Sequence, residues 1–172
     1  MGGNNSMGLT INNPTQFYEI AQTGQLYNTS GLPDCSYGDE VTFLRETANN
    51  TYRYAETIRE AYTKSTDYAG YDAENPLSEQ LNLVSRMIKG RLGTKIYLVH
   101  LGGFDTHAAQ PVYHPTLMNY VANAVKSFYD DLTEAGHINE VLTMTVSEFG
   151  RTNGENASYG TDHGQAAVSY TH

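Results

Sequence analysis

Three short clusters carry the side-chain types that bind metal ions or take part in acid–base chemistry. They are GGFDTH at residues 102–107, SEFGR at 147–151 and GTDHG at 160–164. In the first cluster, Asp105 and His107 are two residues apart, so in an extended segment a carboxylate and an imidazole would point the same way. Both groups are metal ligands in proteins. We therefore take this pair as the first candidate ligands of a metal ion.

The other two clusters add candidate ligands and a candidate anion-binding group. Glu148 follows an apolar segment, where a carboxylate must be solvated, paired or metal-bound; a helix capped by Ser147 is the alternative interpretation. Arg151 is the catalytic candidate, because a guanidinium can grip a phosphate, sulfate or carboxylate through two parallel hydrogen bonds; a salt bridge to a neighbouring glutamate is the alternative. Asp162 and His163 are adjacent between glycines, whose backbone freedom would let both side chains turn inward.

The remaining histidines and the single cysteine are assigned structural or surface positions. His100 is expected in the core or on a sheet face, His114 at a helix start, and His137 and His172 at the surface. Cys35 has no second cysteine to pair with and no histidine beside it, so a buried or incidental thiol is expected and not a catalytic one.

Two predicted strands end at the first two clusters. The apolar run around Ile96 and Leu98 predicts a short buried strand, which the glycines at its end allow to turn, and residues 141–146 predict a second strand. A further short strand is expected at residues 7–11. In an open parallel sheet, ligands bind beyond the carboxyl ends of the strands. The clusters are therefore expected to meet at one rim.

Three helices are predicted around these strands from caps, glycines and apolar residues at helical spacing. They run from Asp39 to about Lys64, from Asn75 to Gly90 or Gly93, and from Pro115 to Gly136. The first could be two helices, because its middle is polar. Helix, strand, helix, strand with short connections is typical of a parallel α/β layer. We expect a single partial α/β domain over residues 1–172, loop-rich over 1–38, with helices and parallel strands over 39–172.

Length and charge limit the classes of function. The chain of 172 residues fits one domain, and its net charge of -9 argues against binding nucleic acid by bulk electrostatics. No apolar run approaches the about 18 residues of a membrane span, and no signal peptide is predicted in the sequence as given. The many tyrosines of the first helix could stack on sugars or bases, but a half-buried helix face is the simpler interpretation.

The three clusters together, with an amphipathic helix between the first two, closely resemble the second half of the bacterial family labelled domain of unknown function 1501. The resemblance covers residues 76–167. That family is regarded as a distant member of the alkaline phosphatase and sulfatase superfamily, and many members are exported through the twin-arginine route. The resemblance therefore implies an alkaline phosphatase-like fold, with a mainly parallel sheet between helices, in an exported or periplasmic protein.

The resemblance also implies one or two divalent ions at the carboxyl edge of the sheet. Asp105 and His107 match the superfamily's first ligand pair, Glu148 its acidic position and His163 its later histidine, while Asp162 is a further candidate ligand. The superfamily spaces its first pair more widely and carries an Asp-His pair where this chain has Ser-Glu. Zinc is the expected ion for mixed nitrogen and oxygen ligands, with manganese or calcium as alternatives.

Two functions are open at this point. The first is a fragment of a metal-dependent hydrolase that acts on phosphate or sulfate esters of small molecules or glycans. Because the superfamily's nucleophile comes from an amino-terminal half that this sequence lacks, the chain is expected to be a piece of a longer protein. The second is a non-catalytic exported protein, in which the clusters hold a structural metal or a polar network and the tyrosine-rich helices contact a protein or glycan.

Overall fold

The computed structural model describes residues 8–11 and 27–167, and within them the chain is mixed α/β with three helices and four short strands. In chain order the elements are β1 (Gly8–Ile11), α1 (Ser36–Thr63), α2 (Pro76–Lys89), β2 (Ile96–Val99), α3 (Gln110–Glu134), a 3-10 turn (Ile138–Glu140), β3 (Gly150–Arg151) and β4 (His163–Gly164). None of the helices in the described ranges is long and apolar enough to cross a membrane.

The described chain forms two compact units. Unit 1 contains the described residues up to Thr66 together with Leu83–Leu98, and unit 2 contains Asp67–Asn82 together with the described residues from Val99 onward. The first half of α2 therefore belongs to unit 2 and its second half to unit 1. Whether residues 1–172 act as one domain, as the sequence predicts, stays a prediction.

Unit 1 is built on α1, which runs as one helix through its polar middle. It begins after Cys35, whose side chain makes no capping hydrogen bond, so the predicted cap at Asp39 is wrong. Leu44, one of the apolar residues at helical spacing that predict this helix, is exposed. In the second half of α1, apolar residues at helical spacing are buried. Packing of such residues against other elements supplies most of a helix's stability. The core of this unit consists of Ala55, Ile58, Ala61, Leu83, Val84, Met87 and Leu92.

Two contacts join the end of α1 to the end of α2 inside unit 1. The guanidinium of Arg86 lies 3.9 Å above the centre of the Tyr62 ring, and its Nε donates to Ser65 Oγ at 3.0 Å. Gly90 lies against the backbone of Ala61, and a Cβ at this glycine would overlap the Ala61 carbonyl. The glycine that follows the last residue of α2 is therefore required by close packing against α1.

The start of α2 belongs to unit 2 and follows the prediction. Asn75 Oδ1 accepts a hydrogen bond from the Leu77 N–H at 3.1 Å, as an N-cap does, and Pro76 occupies the first helical position. Asn75 Nδ2 donates to the Tyr120 carbonyl of α3 at 2.9 Å, so the cap also fixes α2 to α3. The apolar core of unit 2 consists of Leu77, Leu81, Ala124, Phe128 and Leu132.

The helix α3 begins at Gln110, earlier than the predicted start at Pro115. Pro111 lies in its first turn, where a missing N–H costs no intrahelical hydrogen bond, and Pro115 is accommodated inside the helix. The predicted end is correct, because Gly136 has a positive φ of 77° just beyond the last turn.

The strands form two separate two-stranded sheets. β1 pairs with β2, which confirms the predicted short strand over Gly8–Ile11; Met7, also in that prediction, lies outside the described residues. β3 and β4 are antiparallel, with Arg151 opposite His163. The predicted strand over residues 141–146 is wrong, because only Met144 in that segment takes part in a bridge.

The prediction of a buried strand at β2 is wrong in its burial. Ile96 is 64% exposed and Leu98 59% exposed, so the face of β2 that carries these two side chains is open. Just beyond β2, the side chain of Gln80 holds the backbone of His100. Its Oε1 accepts from the His100 N–H at 3.0 Å, and its Nε2 donates to the His100 carbonyl at 2.9 Å. This pair of bonds fixes the chain at the entrance to the first cluster.

Candidate metal centre

Asp105, His107 and His163 lie together on the surface of unit 2. Their potential ligand atoms are all within 4.8 Å of one another. Asp105 Oδ1 lies 3.0 Å from His107 Nε2 and 2.8 Å from His163 Nε2. Two imidazole nitrogens and one carboxylate oxygen thus converge from positions as much as 58 residues apart in sequence.

A tight turn, and not the predicted extended segment, presents the first two of these residues. Gly103 has a positive φ of 94°, which starts the turn. The Thr106 N–H then donates to the Phe104 carbonyl at 2.9 Å, and the His107 N–H to the Asp105 carbonyl at 3.2 Å. Such bonds over two residues curl the backbone, so that Thr106 is buried while Asp105 and His107 both face outward.

The adjacent residues of the third cluster reach the same site in different ways. His163 contacts Asp105, whereas Asp162 Oδ1 lies 3.0 Å from Nδ1 of His107, the ring nitrogen that faces away from Asp105. Gly160 packs against the backbone of His107, and a Cβ there would overlap the His107 carbonyl. The glycines beside this pair therefore allow close approach of two loops.

The guanidinium of Arg151 connects all three clusters. Nη1 donates to the Thr161 carbonyl at 2.5 Å, Nη2 donates to the Phe104 carbonyl, and Nη2 lies 3.4 Å from Asp105 Oδ1. The Arg151 side chain is only 18% exposed. Much of its hydrogen-bonding capacity is therefore used to hold the backbone of the first and third clusters. Binding of an anion by Arg151 stays a prediction.

A stack of rings supports His163 from the second cluster. The Phe149 ring lies 4.0 Å from the His163 ring at an interplanar angle of 15°. The Arg151 guanidinium lies 5.0 Å from the centre of the same Phe149 ring. Phe149 thus contacts both an imidazole and a guanidinium, and the stacking restricts the orientation of His163.

Glu148 is placed differently from the other predicted ligands. It is exposed, lies outside the group of three, and makes no hydrogen bond or ion pair with residues 27–167. Its role as a ligand stays a prediction. The alternative, a helix capped by Ser147, is wrong, because Ser147 Oγ donates to the Phe149 carbonyl at 2.7 Å and the strand β3 follows.

The surroundings stabilise the charged form of both aspartates. The hydrogen bond from His163 holds the pKa of Asp105 below its usual value, and the charges of His107, His163 and Arg151 add to this effect. Hydrogen bonds from His107 and then Asn156 lower the pKa of Asp162. Both carboxylates are therefore ionised at neutral pH, which is the form that binds cations.

The other histidines lie outside the cluster. His100 is exposed just beyond β2, and His114 lies inside α3 with its ring edge-on to Phe104 at 5.9 Å. The predicted surface position of His137 is wrong, because its side chain is 11% exposed and lies 3.2 Å from Glu140. His172 lies outside the described residues.

The cysteine and the tyrosines largely follow their structural interpretations. Cys35 is exposed and free. Most of the tyrosines of α1 and of the segment after it are half-buried, as a packed helix face predicts, although Tyr37 and Tyr68 are exposed. The half-buried ones are Tyr52, Tyr54, Tyr62 and Tyr71.

Sequence reasoning missed Asn156. Its Oδ1 accepts from the N–H groups of Ser158 at 2.9 Å and Gly160 at 3.0 Å, and its Nδ2 donates to the His107 carbonyl at 2.9 Å. An asparagine in a loop that also contains glycines does indicate a side-chain turn of this kind. Its partner 49 residues earlier could not be read from that local signal.

The donor set of the cluster suits a transition-metal ion. Two imidazole nitrogens and one carboxylate oxygen are the ligand types that zinc accepts, and three protein ligands are the number found in catalytic zinc sites, which keep one position open. The outward-facing side chains leave room for such a position.

Comparison with known proteins gives one match. The sequence model of the family described as "Protein of unknown function (DUF1501)" matches residues 36–171, which begins well before the segment that carries the resemblance in sequence motifs. The match spans α1 to α3 and all three clusters. No curated protein and no solved structure matches the chain significantly.

Proposed function

We propose a function from one premise, that the chain belongs to the family described as protein of unknown function (DUF1501). The proposed function is that of a part of a metal-dependent hydrolase acting on phosphate or sulfate esters of small molecules or glycans. The observation that supports it most is the convergence of Asp105, His107 and His163 within 4.8 Å. An alkaline phosphatase-like arrangement, with a mainly parallel sheet in the complete protein, and export from the cytoplasm belong to the same proposal.

Asp105, His107 and His163 would hold the ion, with zinc as the first choice and manganese or calcium as alternatives. When bound, such an ion supplies a Lewis acid that stabilises negative charge on a transferring phosphoryl or sulfuryl group. Glu148 is the candidate for a further ligand, since its exposed carboxylate follows Ser147 in the second cluster.

Arg151 has two roles in this proposal. Its bonds to the Phe104 and Thr161 carbonyls hold the first and third clusters together. A guanidinium carries five N–H donors, so it also retains capacity to bind a non-bridging oxygen of a phosphate or sulfate group beside Asp105.

The second candidate function is a non-catalytic protein in which the same residues hold a structural ion. One observation favours it: among residues 27–167, no serine, threonine or cysteine side chain hydrogen-bonds to Asp105, His107 or His163. Nucleophilic hydroxyl or thiol groups are commonly activated by such contacts or by a metal. The exposed Tyr68 and the half-buried tyrosines of α1 would then serve protein or glycan contact.

Metal content tests the first step of the proposal. The purified chain is dialysed against buffered zinc, and the bound zinc is measured by mass spectrometry. We expect Asp105→Ala and His163→Ala to lose the zinc that the unsubstituted chain retains. His100→Ala removes an exposed histidine outside the cluster and is the matched control, which should retain it. Unchanged zinc in the Asp105 and His163 variants would overturn the proposal.

An activity screen then separates the two candidate functions. The zinc-loaded protein is assayed with aryl phosphate and aryl sulfate esters, both as this chain and within any longer native protein. Hydrolysis that Asp105→Ala abolishes supports the hydrolase. A protein that holds zinc through the three residues but hydrolyses neither class of ester supports the structural ion.

A further inference from the structure

We infer that Asp162 and Asn156 are positioning residues for the candidate metal site, because together they fix the ring of His107 with Nε2 facing Asp105 and His163. The inference rests on the proposed metal-binding function. It changes the role of Asp162 from candidate ligand to a partner behind a ligand, and it assigns a role to Asn156.

The two nitrogens of His107 face different carboxylates. Nδ1 lies 3.0 Å from Asp162 Oδ1, and Nε2 lies 3.0 Å from Asp105 Oδ1. When a metal occupies Nε2, the remaining ring proton lies on Nδ1, and the Asp162 carboxylate, which can only accept, holds that proton and fixes the plane of the ring. The lone pair of Nε2 is then directed to the side where a metal would bind, as a carboxylate behind a ligating histidine does in known metal sites.

Asn156 in turn holds both His107 and Asp162. Its Nδ2 donates to the His107 carbonyl at 2.9 Å and to Asp162 Oδ1 at 3.2 Å. One amide group thus fixes the carboxylate and the backbone of the histidine that this carboxylate orients. The described contacts use both N–H donors of this side chain.

Oδ1 and Nδ2 of Asn156 contact different groups, so substitutions can separate their effects. Oδ1 accepts from the N–H groups of Ser158 and Gly160 and so stabilises the loop itself. Only Nδ2 reaches His107 and Asp162. Asn156→Asp keeps an acceptor for the loop and removes both donors, and Asp162→Asn keeps the shape of an exposed side chain while removing its charge.

Zinc affinity is measured on the full chain by competition with a chromophoric chelator. We expect Asp162→Asn and Asn156→Asp to raise the zinc dissociation constant about 10- to 100-fold, the usual cost of losing a partner behind a ligand. Asn153→Ala is the matched control, because Asn153 is exposed in the same loop and makes no hydrogen bond within the described chain. We expect its dissociation constant to stay within about twofold of the unsubstituted value, as for surface changes away from a site.

A second readout distinguishes orientation from simple loop stability. Long-range proton–nitrogen NMR spectra of the zinc-loaded protein should show one form of His107, with its proton on Nδ1. In Asp162→Asn the His107 signals should shift or split, since the neutral amide accepts a weaker hydrogen bond from Nδ1 than the carboxylate does and fixes the ring less firmly. A purely structural loop would lower the melting temperature of the variants and leave these signals unchanged.

Two failures are distinguishable. If the unsubstituted chain binds no zinc, the proposed function is overturned, and this inference falls with it. If the unsubstituted chain binds zinc but Asp162→Asn binds it within about twofold as tightly with unchanged His107 signals, only the inference is overturned. Because Asp162→Asn is nearly isosteric at an exposed position, it can decide the question even if the Asn156 variant folds poorly.

Discussion

Among single residues, Asp131 is a carboxylate with a structural role. It lies in α3 and is 0% exposed. Its Oδ1 accepts from the Tyr68 N–H at 2.8 Å, and its Oδ2 accepts from the Tyr71 hydroxyl at 3.0 Å. A buried polar group must be hydrogen-bonded to be tolerated, and here these bonds tie the segment before α2 to α3 inside unit 2.

We predict that Asp131→Ala lowers the free energy of unfolding by about 2 to 3 kcal/mol, because it leaves the donors of Tyr68 and Tyr71 without this acceptor. Urea denaturation followed by circular dichroism measures the loss. Asp130→Ala is the matched control, since Asp130 is an exposed neighbour paired with Lys126 one helical turn away. An exposed pair of this kind contributes about 0.5 kcal/mol or less. Equal losses in the two variants would contradict the role given to Asp131.

Tyr97 provides a prediction about pH. Burial raises its pKa to about 12, although a hydrogen bond with Thr94 acts in the opposite direction. Between the ordinary value of about 10 and this value, the unfolded chain carries the ionised phenolate while the folded chain does not. Unfolding therefore releases a proton in that range, and the stability that Tyr97 contributes is complete below pH about 10 and lost as the pH rises toward 12.

Spectrophotometric titration of tyrosine at alkaline pH checks this expectation. Tyr97→Phe should lose absorbance change mainly at the alkaline end of the curve. In guanidinium chloride the same comparison should place the lost transition near the ordinary value of about 10, because the buried environment is gone. A lost transition at the same pH in folded and denatured protein would contradict the raised pKa.

Among the elements, α2 has the clearest sequence signal, and its cap has a second function that the sequence does not reveal. Asn75 is fully buried, caps the helix through Oδ1 and donates to the Tyr120 carbonyl through Nδ2. The cap is a hydrogen bond between the Asn75 side chain and backbone two residues away, so the local sequence predicts it. The contact with α3 depends on tertiary packing.

We predict that Asn75→Ala lowers the free energy of unfolding by about 2 kcal/mol, because it removes a cap worth about 1 kcal/mol and a second hydrogen bond of about 1 kcal/mol, to the Tyr120 carbonyl. Asn75→Ser retains a capping oxygen but is too short to reach Tyr120, so its loss should be smaller. Chemical denaturation of both variants measures the two parts separately. A serine variant as unstable as the alanine variant would indicate that the cap contributes nothing.

The helices were easier to predict than the strands for a physical reason. Helix signals act within a few residues, so they can be read from the sequence alone. They include the start at Asn75 and Pro76, the apolar stripes and the glycines at helix ends. Burial of a strand depends on which distant segments cover it. Ile96 and Leu98 have the apolar character of a buried strand but are exposed, and Leu142 and Val146 are exposed in a segment that forms no strand.

The same distinction explains how much of the candidate site could be predicted. The spacing of Asp105 and His107 and the adjacency of Asp162 and His163 pointed to side chains that the structure brings together. Within that second pair, His163 contacts Asp105 and Asp162 contacts His107. This arrangement depends on how two loops pack together that lie 55 residues or more apart in the sequence. The sequence alone does not predict which of the two residues contacts which partner.

At the scale of the whole molecule, a net charge of -9 makes weak, non-specific cation binding a competitor of any specific site. The free energy of unfolding, measured with and without the ion, distinguishes binding at a specific site from non-specific binding. An ion that binds the folded state at one site stabilises it by an amount set by its concentration relative to the dissociation constant. Weak binding at scattered carboxylates does not depend on Asp105.

We therefore predict that free zinc at about 100 times its dissociation constant raises the free energy of unfolding by about 2.7 kcal/mol, and that a chelator reverses the increase. Asp105→Ala should abolish the increase, because this carboxylate contacts both histidines of the cluster. His100→Ala, which removes an exposed histidine outside the cluster, should preserve it. Thermal melts with and without zinc supply the measurement. If Asp105→Ala is stabilised as much as the unsubstituted chain, zinc acts through the acidic surface, and the three converging side chains do not form a metal site.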